Sequence, residues 1–219
     1  MKVIVEWTYT TPKKLETVFR SDALPLGDAL ILSDDLERTG RTKHLQFLDD
    51  TGTTWNLKEL RKLEKDIEYE PQDILCYFDG SYDAQSGEGG LGAVIYYKLG
   101  KEDYRIRVNQ KIDEMDSNNE AEYAAFWFLV RELEELGVKR QRVLFKGDSQ
   151  VVLNQLSGEW PCYEETFAKW LDRIEEKLKH MGVVPEYEAV SRKANTEADH
   201  LAGQGLQGIA IRSSIKLNS

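Results

Sequence analysis

The sequence predicts an α/β domain, a mixed sheet with helices packed on it, behind a small α+β module. Three observations carry that expectation. Strand-like runs follow one another in DILCYFDGS, GGLGAVIYYK and DYRIRVNQKI. After them, helical and strand-like segments alternate as far as Leu206, a pattern that lays helices over a sheet with both parallel and antiparallel pairs. Ahead of them, the acidic stretch EKDIEYEPQD (64–73) breaks the composition. Pro71 biases its neighbour towards extended backbone, so this stretch reads as a linker. The boundary is placed near Glu70, giving residues 1–70 to the accessory module and 71–219 to the main domain and its tail.

In the first module KVIVEWTYT reads as a strand, and LETVFRS pairs back with it across TTPKK. Residues 25–38 read as a helix, with Pro25 suited to its first turn and Gly40 to its stop. KHLQFLDD and TTWN flank Asp50–Gly52 as a hairpin. Asn56 then caps LKELRKLEKD, where Leu57, Leu60 and Leu63 recur at helical spacing. In the main domain Asn118 or Asn119 opens a long helix to Leu136, with Ala121, Ala125, Phe128 and Leu129 on one face. RVLFKGDS is the next strand and QVVLNQLSGEW a short helix. EETFAKWLDRIEEKLKHMG is an amphipathic helix, VVPEYEAV a strand and NTEADHLAGQGL the last helix. The tail IAIRSSIKLNS alternates apolar residues and suits either a docked strand or a loose end.

Composition bounds the function classes. Hydrophobic residues at 41% and charged residues at 31% describe an ordinary globular chain, and five Trp with ten Tyr supply bulk for a core. The longest apolar run, Ala124 to Val130, is too short to span a bilayer, and the first residues lack a small-residue cleavage site. Two cysteines, Cys76 and Cys162, form no disulfide framework. A cytoplasmic protein with reduced thiols and no membrane partner is expected. The net charge of −10 argues against a general nucleic-acid coat, though not against an enzyme that presents a small basic face and recruits metal cations.

Four acids stand out by position. Asp79 is expected at the end of the main domain's first strand, followed by Gly80 and Ser81 as turn residues. Asp148 ends a later strand, followed by Ser149 and Gln150. Glu122 falls in the first turn of the long helix, and Asp199 near the start of the last one. Strand ends and helix starts meet at one rim of an α/β sheet, where ligands bind. Four carboxylates gathered there repel one another unless cations sit between them. Hard oxygen donors select Mg²⁺ or Mn²⁺. Two such ions can activate a water and stabilise the leaving oxygen of a phosphodiester without any nucleophilic side chain. No Ser–His or Cys–His arrangement is evident. Among 39 acidic residues a single one is ordinarily a solvated charge; what is unusual is the joint order of DGS, NNxxE, GDSQ and NxxAD.

Those four segments, in that order, resemble the type 1 ribonuclease H family over roughly residues 72–205. The resemblance implies a five-stranded mixed sheet flanked by helices, and cleavage of the RNA strand of RNA–DNA hybrids with two Mg²⁺, for which Mn²⁺ can substitute. It assigns Asp79, Glu122, Asp148 and Asp199 as metal ligands and catalytic acids. Glu122 is preferred over Glu120 because the motif is Asn-Asn-x-x-Glu. It also implies hybrid contacts from Asn118, Asn119 and Gln150, and main-chain contacts at Gly80 and Ser81. Glu122 would accept a hydrogen bond from a 2′-hydroxyl, the group that tells RNA from DNA. The plain alternative for Asn118 and Gln150 is helix capping and surface solvation.

The chain departs from the family in two places. The loop before the last helix, AVSRKANTEAD, lacks the histidine many members carry. Arg192 and Lys193 stand there instead, suited to phosphate or to relieving charge at the metals, and together with Asn195, which precedes Asp199 at the family spacing, they are taken as substrate-binding residues. His200 points away from Asp199's direction by the helical repeat and is not taken as a ligand. The Lys/Arg-rich helix that grips the DNA strand is also missing, since QLSGEW runs almost directly into WPCYEETF. Trp160 and Tyr163 are candidates for aromatic contacts in its place, although Trp160 is expected to pack inside. The N-terminal module does not resemble the short hybrid-binding domain of some relatives. With 11 basic and 14 acidic residues in 1–70, net −3, a protein partner or a stabilising role suits it at least as well as nucleic acid. The competing functions are a catalytically silent hybrid-binding or protein-interaction module, and a related nuclease acting at junctions or single-strand ends.

Overall fold

In the computed structural model of the protein, which describes residues 1–217, alternating burial along KVIVEWTYT makes it a half-covered strand, β1 (Lys2–Thr10), with Val3 and Val5 inside. β1 pairs antiparallel with β2 (Glu16–Pro25) and β3 (Thr42–Asp49), and β3 with β4 (Thr54–Trp55), in the order β2-β1-β3-β4. Helix α1 (Leu26–Arg38) begins directly after Pro25. Helix α2 (Leu57–Glu68) is capped by Asn56, whose Oδ1 accepts from Glu59 N at 2.9 Å while Glu59 Oε2 accepts from Asn56 N at 2.9 Å. Leu26, Ala29, Leu30, Phe47 and Leu60 complete this core.

The acidic stretch 64–73 is not a linker. Helix α2 continues through Glu68 and the next strand starts at Gln72, leaving only Tyr69–Pro71 between them. The helical apolar spacing runs on to Ile67, which packs on the module's core, and Glu and Lys are good helix formers, so the charges ride on the helix. The chain divides into two units, Met1–Tyr69 and the remainder from Glu70.

The second unit is built on β5 (Gln72–Asp83), β6 (Glu88–Leu99) and β7 (Glu102–Ile112), a three-stranded antiparallel meander. β8 (Arg142–Gly147) joins parallel to β5, and β9 (Val184–Ala189) parallel to β8. The anticipated five strands gain a sixth. The tail forms β10 (Arg212–Lys216), antiparallel to β7, giving the order β10-β7-β6-β5-β8-β9; residues 218–219 lie outside the described ones. Buried Asn109 fixes the tail, donating from Nδ2 to Leu201 O and Ile209 O at 3.0 and 2.9 Å and accepting from Ile211 N at 2.7 Å.

Helix α3 (Asn118–Glu135) packs on β5 and β6 and is covered in turn by α5 (Glu165–Met181), so its apolar run is buried nearly all round, beyond the single face expected. Its cap is Ser117, whose Oγ accepts from Glu120 N at 3.2 Å; Asn118 and Asn119 are helical residues. The short α4 (Gln150–Leu156) is tied to α3 by a hydrogen bond from Tyr123 OH to Gln155 Oε1. After α4 the chain folds back through Trp160 N to Asn154 O at 3.0 Å, and Trp160 is 48% exposed instead of packed inside, with Tyr163 exposed as well. Among the described residues no helix is long and apolar enough to cross a membrane.

Helix α6 (Thr196–Leu206) packs across β5, β6 and β7. It comes close because β6 carries Gly90 and Gly92 under it. A Cβ on Gly90 would lie 2.0 Å from Ala202 O, and one on Gly92 2.3 Å from Ala198 O. Gly92→Val is therefore expected to push α6 off the sheet at a cost of about 3 kcal/mol or more. The check is thermal unfolding followed by circular dichroism; a melting curve matching that of the unaltered protein would contradict this packing.

Candidate functional site

The register of the parallel pair brings the first two acids together. Ile74 to Tyr77 of β5 sit opposite Val143 to Lys146 of β8. Continuing that register by two places sets Asp79 opposite Asp148, just past the last residue of β8, Gly147. Asp79 itself is inside β5, not at its end, because β5 goes on pairing with β6 through Asp83 after β8 has left it. Thus Gly80 and Ser81 are ladder residues, paired with Leu91 and Gly90, and not a turn.

Glu122 is delivered by α3, at the start of its second turn and not in its first. A Cβ on Gly80 would lie 2.3 Å from Ala121 C and 2.4 Å from Glu122 N, so only glycine lets α3 come this near β5. Gly80 N then donates to Glu122 Oε2 at 3.3 Å. Glu120, the neighbouring acid, is buried in a different role, accepting from Asp116 N at 2.9 Å and from Trp170 Nε1 at 3.3 Å. Asp79, Glu122 and Asp148 each offer a carboxylate oxygen, all within 4.8 Å of one another, and this acidic group can hold a divalent metal.

Asn195 organises that group. It is 1% exposed, and its Nδ2 donates to Phe78 O at 3.0 Å, Asp148 Oδ1 at 3.1 Å and Asp79 Oδ1 at 3.3 Å. Three acceptor oxygens require the amide NH₂ to face them, which fixes the flip of the side chain. Asn195, expected at the substrate surface, is instead buried among the carboxylates, and its Oδ1 has no partner among the described residues.

Asp199 stands slightly apart. It lines the same cavity of about 290 Å³ but is not in the tight triad, and its Oδ1 accepts from Arg192 Nη2 at 3.0 Å. Ser81, Asn118, Ser149 and Arg192 also line the cavity. Asn119, Gln150 and Lys193 do not; each is exposed, one residue away from a lining position, on a backbone that turns it elsewhere. Ser149 was missed by sequence reasoning; its position directly after Asp148 was the available signal. The structure keeps the three histidines, His44, His180 and His200, exposed and off this wall.

The electrostatics follow from burial. Burial first, then the charges of Asp148 and Asp199, push the Asp79 carboxyl up to about 8. Burial and the charges of Asp79 and Asp148 raise Glu122 well above the carboxylate range, against the opposing hydrogen bond from Gly80. A purely oxygen donor set of crowded carboxylates, reluctant to ionise alone, is what a hard cation such as Mg²⁺ would bind.

A family model described as reverse transcriptase-like matches residues 77–205. An uncharacterized protein of Bacillus subtilis strain 168, YpeP, is 46% identical over 200 residues, covering 91% of this chain and 88% of that one. Among solved structures, ribonuclease H1 of the halophilic archaeon Halobacterium salinarum superposes with a TM-score of 0.54 at 26% identity, over 62% of this chain and 98% of that one. LC11 ribonuclease H1 in complex with an RNA/DNA hybrid shares the fold, with a TM-score of 0.55 at 23% identity, over 62% of this chain and 98% of that one.

Because Asp79 ionises near 8 in the folded state against an ordinary 3.8, the folded protein holds the proton that the unfolded chain releases. The associated stability is present below about pH 4 and is lost as pH rises towards 8. In chelator, the melting temperature is expected to fall between pH 5 and 8, and less so for Asp79→Asn, which cannot ionise there. At pH 8 the variant should melt about 2 °C or more above the unaltered protein. Scanning calorimetry decides this, and a variant melting at or below the parent at pH 8 would refute the buried-charge account.

Proposed function

This chain belongs to the reverse transcriptase-like family of ribonuclease H domains, and from that membership we propose that it is an endoribonuclease hydrolysing the RNA strand of RNA–DNA hybrids. The observation that carries the reading is the packing of Asp79, Glu122 and Asp148 within 4.8 Å, with Asp199 on the wall of the same cavity. On this reading the four acids are the ligands of two Mg²⁺, with Mn²⁺ as a substitute. Bound there, the ions would supply an activated water and charge stabilisation at the leaving oxygen.

The chain's own residues have distinct tasks in this proposal. Asp79, held beside Asp148 by the Asn195 amide, would hold metal together with Asp148 and Glu122. Glu122 keeps Oε2 on Gly80 N, which leaves Oε1 to accept a 2′-hydroxyl of the RNA strand. Asn118 and Ser81 face the cavity, where amide and hydroxyl groups meet groove edges and ribose. Asn195 is a positioning residue: it fixes the Asp79 and Asp148 carboxylates and touches no substrate. Arg192, 81% exposed at its side chain, can swing from Asp199 to a phosphate. Asn119, Gln150 and Lys193 are left as contacts outside the cavity wall.

One observation favours a second reading, a weak or silent hybrid-binding module: Asp199 is engaged by a cation of the protein itself. A single assay separates the two. Labelled RNA–DNA hybrid is incubated with the protein in Mg²⁺, Mn²⁺ or chelator. Cleavage is expected with either metal and none in chelator. Asp148→Asn should lower the rate more than about a hundredfold, and Asn195→Ala about 10- to 100-fold, the usual effect of removing a group that orients metal ligands. No cleavage of hybrid under any metal condition would establish the silent module.

A further inference from the structure

The N-terminal unit has a feature that its core does not need. Trp7 of β1 and Phe19 of β2 are cross-strand partners, and their rings stack with centroids 5.6 Å apart and planes 26° from parallel. Tyr9 meets Phe19 edge-on at 6.2 Å. Trp7 joins the buried core at its inner side, yet Phe19 remains 46% exposed. β2 is the edge strand of its sheet, so no further strand covers the face of Phe19 that Trp7 leaves open.

Cations gather at the same end. The turn between β1 and β2 carries Lys13 and Lys14, exposed and without an ion pair among the described residues. The connection from α1 to β3 reaches this end as well, since Thr10 N donates to Arg41 O at 2.8 Å. Arg41 lies 6.0 Å over the Tyr9 ring and donates to Tyr9 OH at 2.8 Å. Within stretches 7–19 and 38–44 there are five cations and one acid, Glu16, which is already paired with Lys43 at 2.7 Å. The module is net negative over residues 1–70, yet these stretches carry a local excess of positive charge.

We propose that this end of the module is a binding site for unpaired nucleic acid, with a base stacking on the open face of Phe19 and phosphates held by Lys13, Lys14 and Arg41. An aromatic platform rimmed by cations fits a single strand, because every base has a face to stack and every linkage a charge to neutralise. An acidic or apolar protein surface would satisfy only half of these features. The choice of nucleic acid as the partner rests on the reading of the catalytic unit above; the site itself does not.

The test is fluorescence anisotropy of the full chain with labelled oligothymidylate, beside cleavage of a blunt hybrid. Phe19→Ser should weaken oligothymidylate binding about tenfold. Lys13→Glu/Lys14→Glu, in an exposed turn, should weaken it too and flatten its salt dependence, with a slope smaller by about 1.4 for two lost phosphate contacts. Both should cut blunt hybrid at the parental rate. Asp148→Asn should keep oligothymidylate binding, so loss of this site and loss of the catalytic reading are told apart. If Phe19→Ser melts early, Arg41→Gln replaces it, with the same tenfold loss expected. Parental affinity in the folded aromatic or arginine variant overturns the proposal. So does a dimer in sedimentation that Phe19→Ser dissociates without any change in strand binding, since the patch would then serve self-association.

Discussion

Like-charge crowding is the constraint around which the second unit is arranged. Three carboxylates lie within 4.8 Å of one another, two of them buried. At an effective dielectric of about 20 each ionised pair at that separation repels by roughly 3 kcal/mol. The protein meets this with donors that carry no full charge, the Asn195 amide and the Gly80 N–H, and with one cation, Arg192, kept at the rim beside Asp199. A buried lysine or arginine inside the triad would have quenched the repulsion more fully, but it would also have taken the place of an external cation. Partial compensation leaves a site that gains from binding one.

That arrangement demands that α3 and α6 be held against the sheet, because each brings a group that repulsion would otherwise drive away. Gly80 admits α3, and Gly90 with Gly92 admit α6. Helix α6 is further pinned at its first turn and midway. At the first turn Glu197 pairs with Arg105 at 3.0 Å and Arg107 at 2.9 Å and accepts from Tyr96 OH at 3.0 Å; midway, Asn109 Nδ2 donates to Leu201 O at 3.0 Å. Asn195 immediately precedes this helix, so the anchoring of Glu197 to β7 bears on how firmly the amide sits between Asp79 and Asp148. The network is polar and partly exposed, and its value lies in fixing geometry more than in net stability.

The main outline of this was legible in the sequence because each acid follows or opens an element with strong local signals. The run before Asp79, the run before Asp148 and the helical period after Glu122 survive any uncertainty in tertiary packing. The choice of Glu122 over Glu120 has a physical counterpart, for Glu120 is occupied with Asp116 and Trp170. What escaped were features set by partners distant in sequence. DGS reads locally as a turn, yet β6 pairs through it; the acidic 64–73 stretch reads as linker, yet apolar spacing carries α2 to Glu68. An asparagine beside a proposed ligand reads as a substrate contact, and only the parallel register of β5 and β8 reveals the hole among carboxylates that its amide fills. Trp160 reads as core by its size, whereas a backbone hydrogen bond to Asn154 O of α4 folds its loop back and the residue stays exposed.

The net charge of −10 looks opposed to a nucleic-acid substrate, but net charge governs long-range encounter while contact is local. At physiological salt a phosphate responds to charges within about 8 Å. Within that range the acidic triad presents whatever cation it holds, and Arg192 adds an exposed guanidinium at the rim. In the first unit Lys13 and Lys14 are exposed in the turn between β1 and β2, and Arg41 lies over the Tyr9 ring. Between α4 and α5 the chain runs through the loop 157–164, with Trp160 and Tyr163 exposed. Affinity for the strand must then be drawn from few cations placed well, so it should depend more on the position of each than on their number.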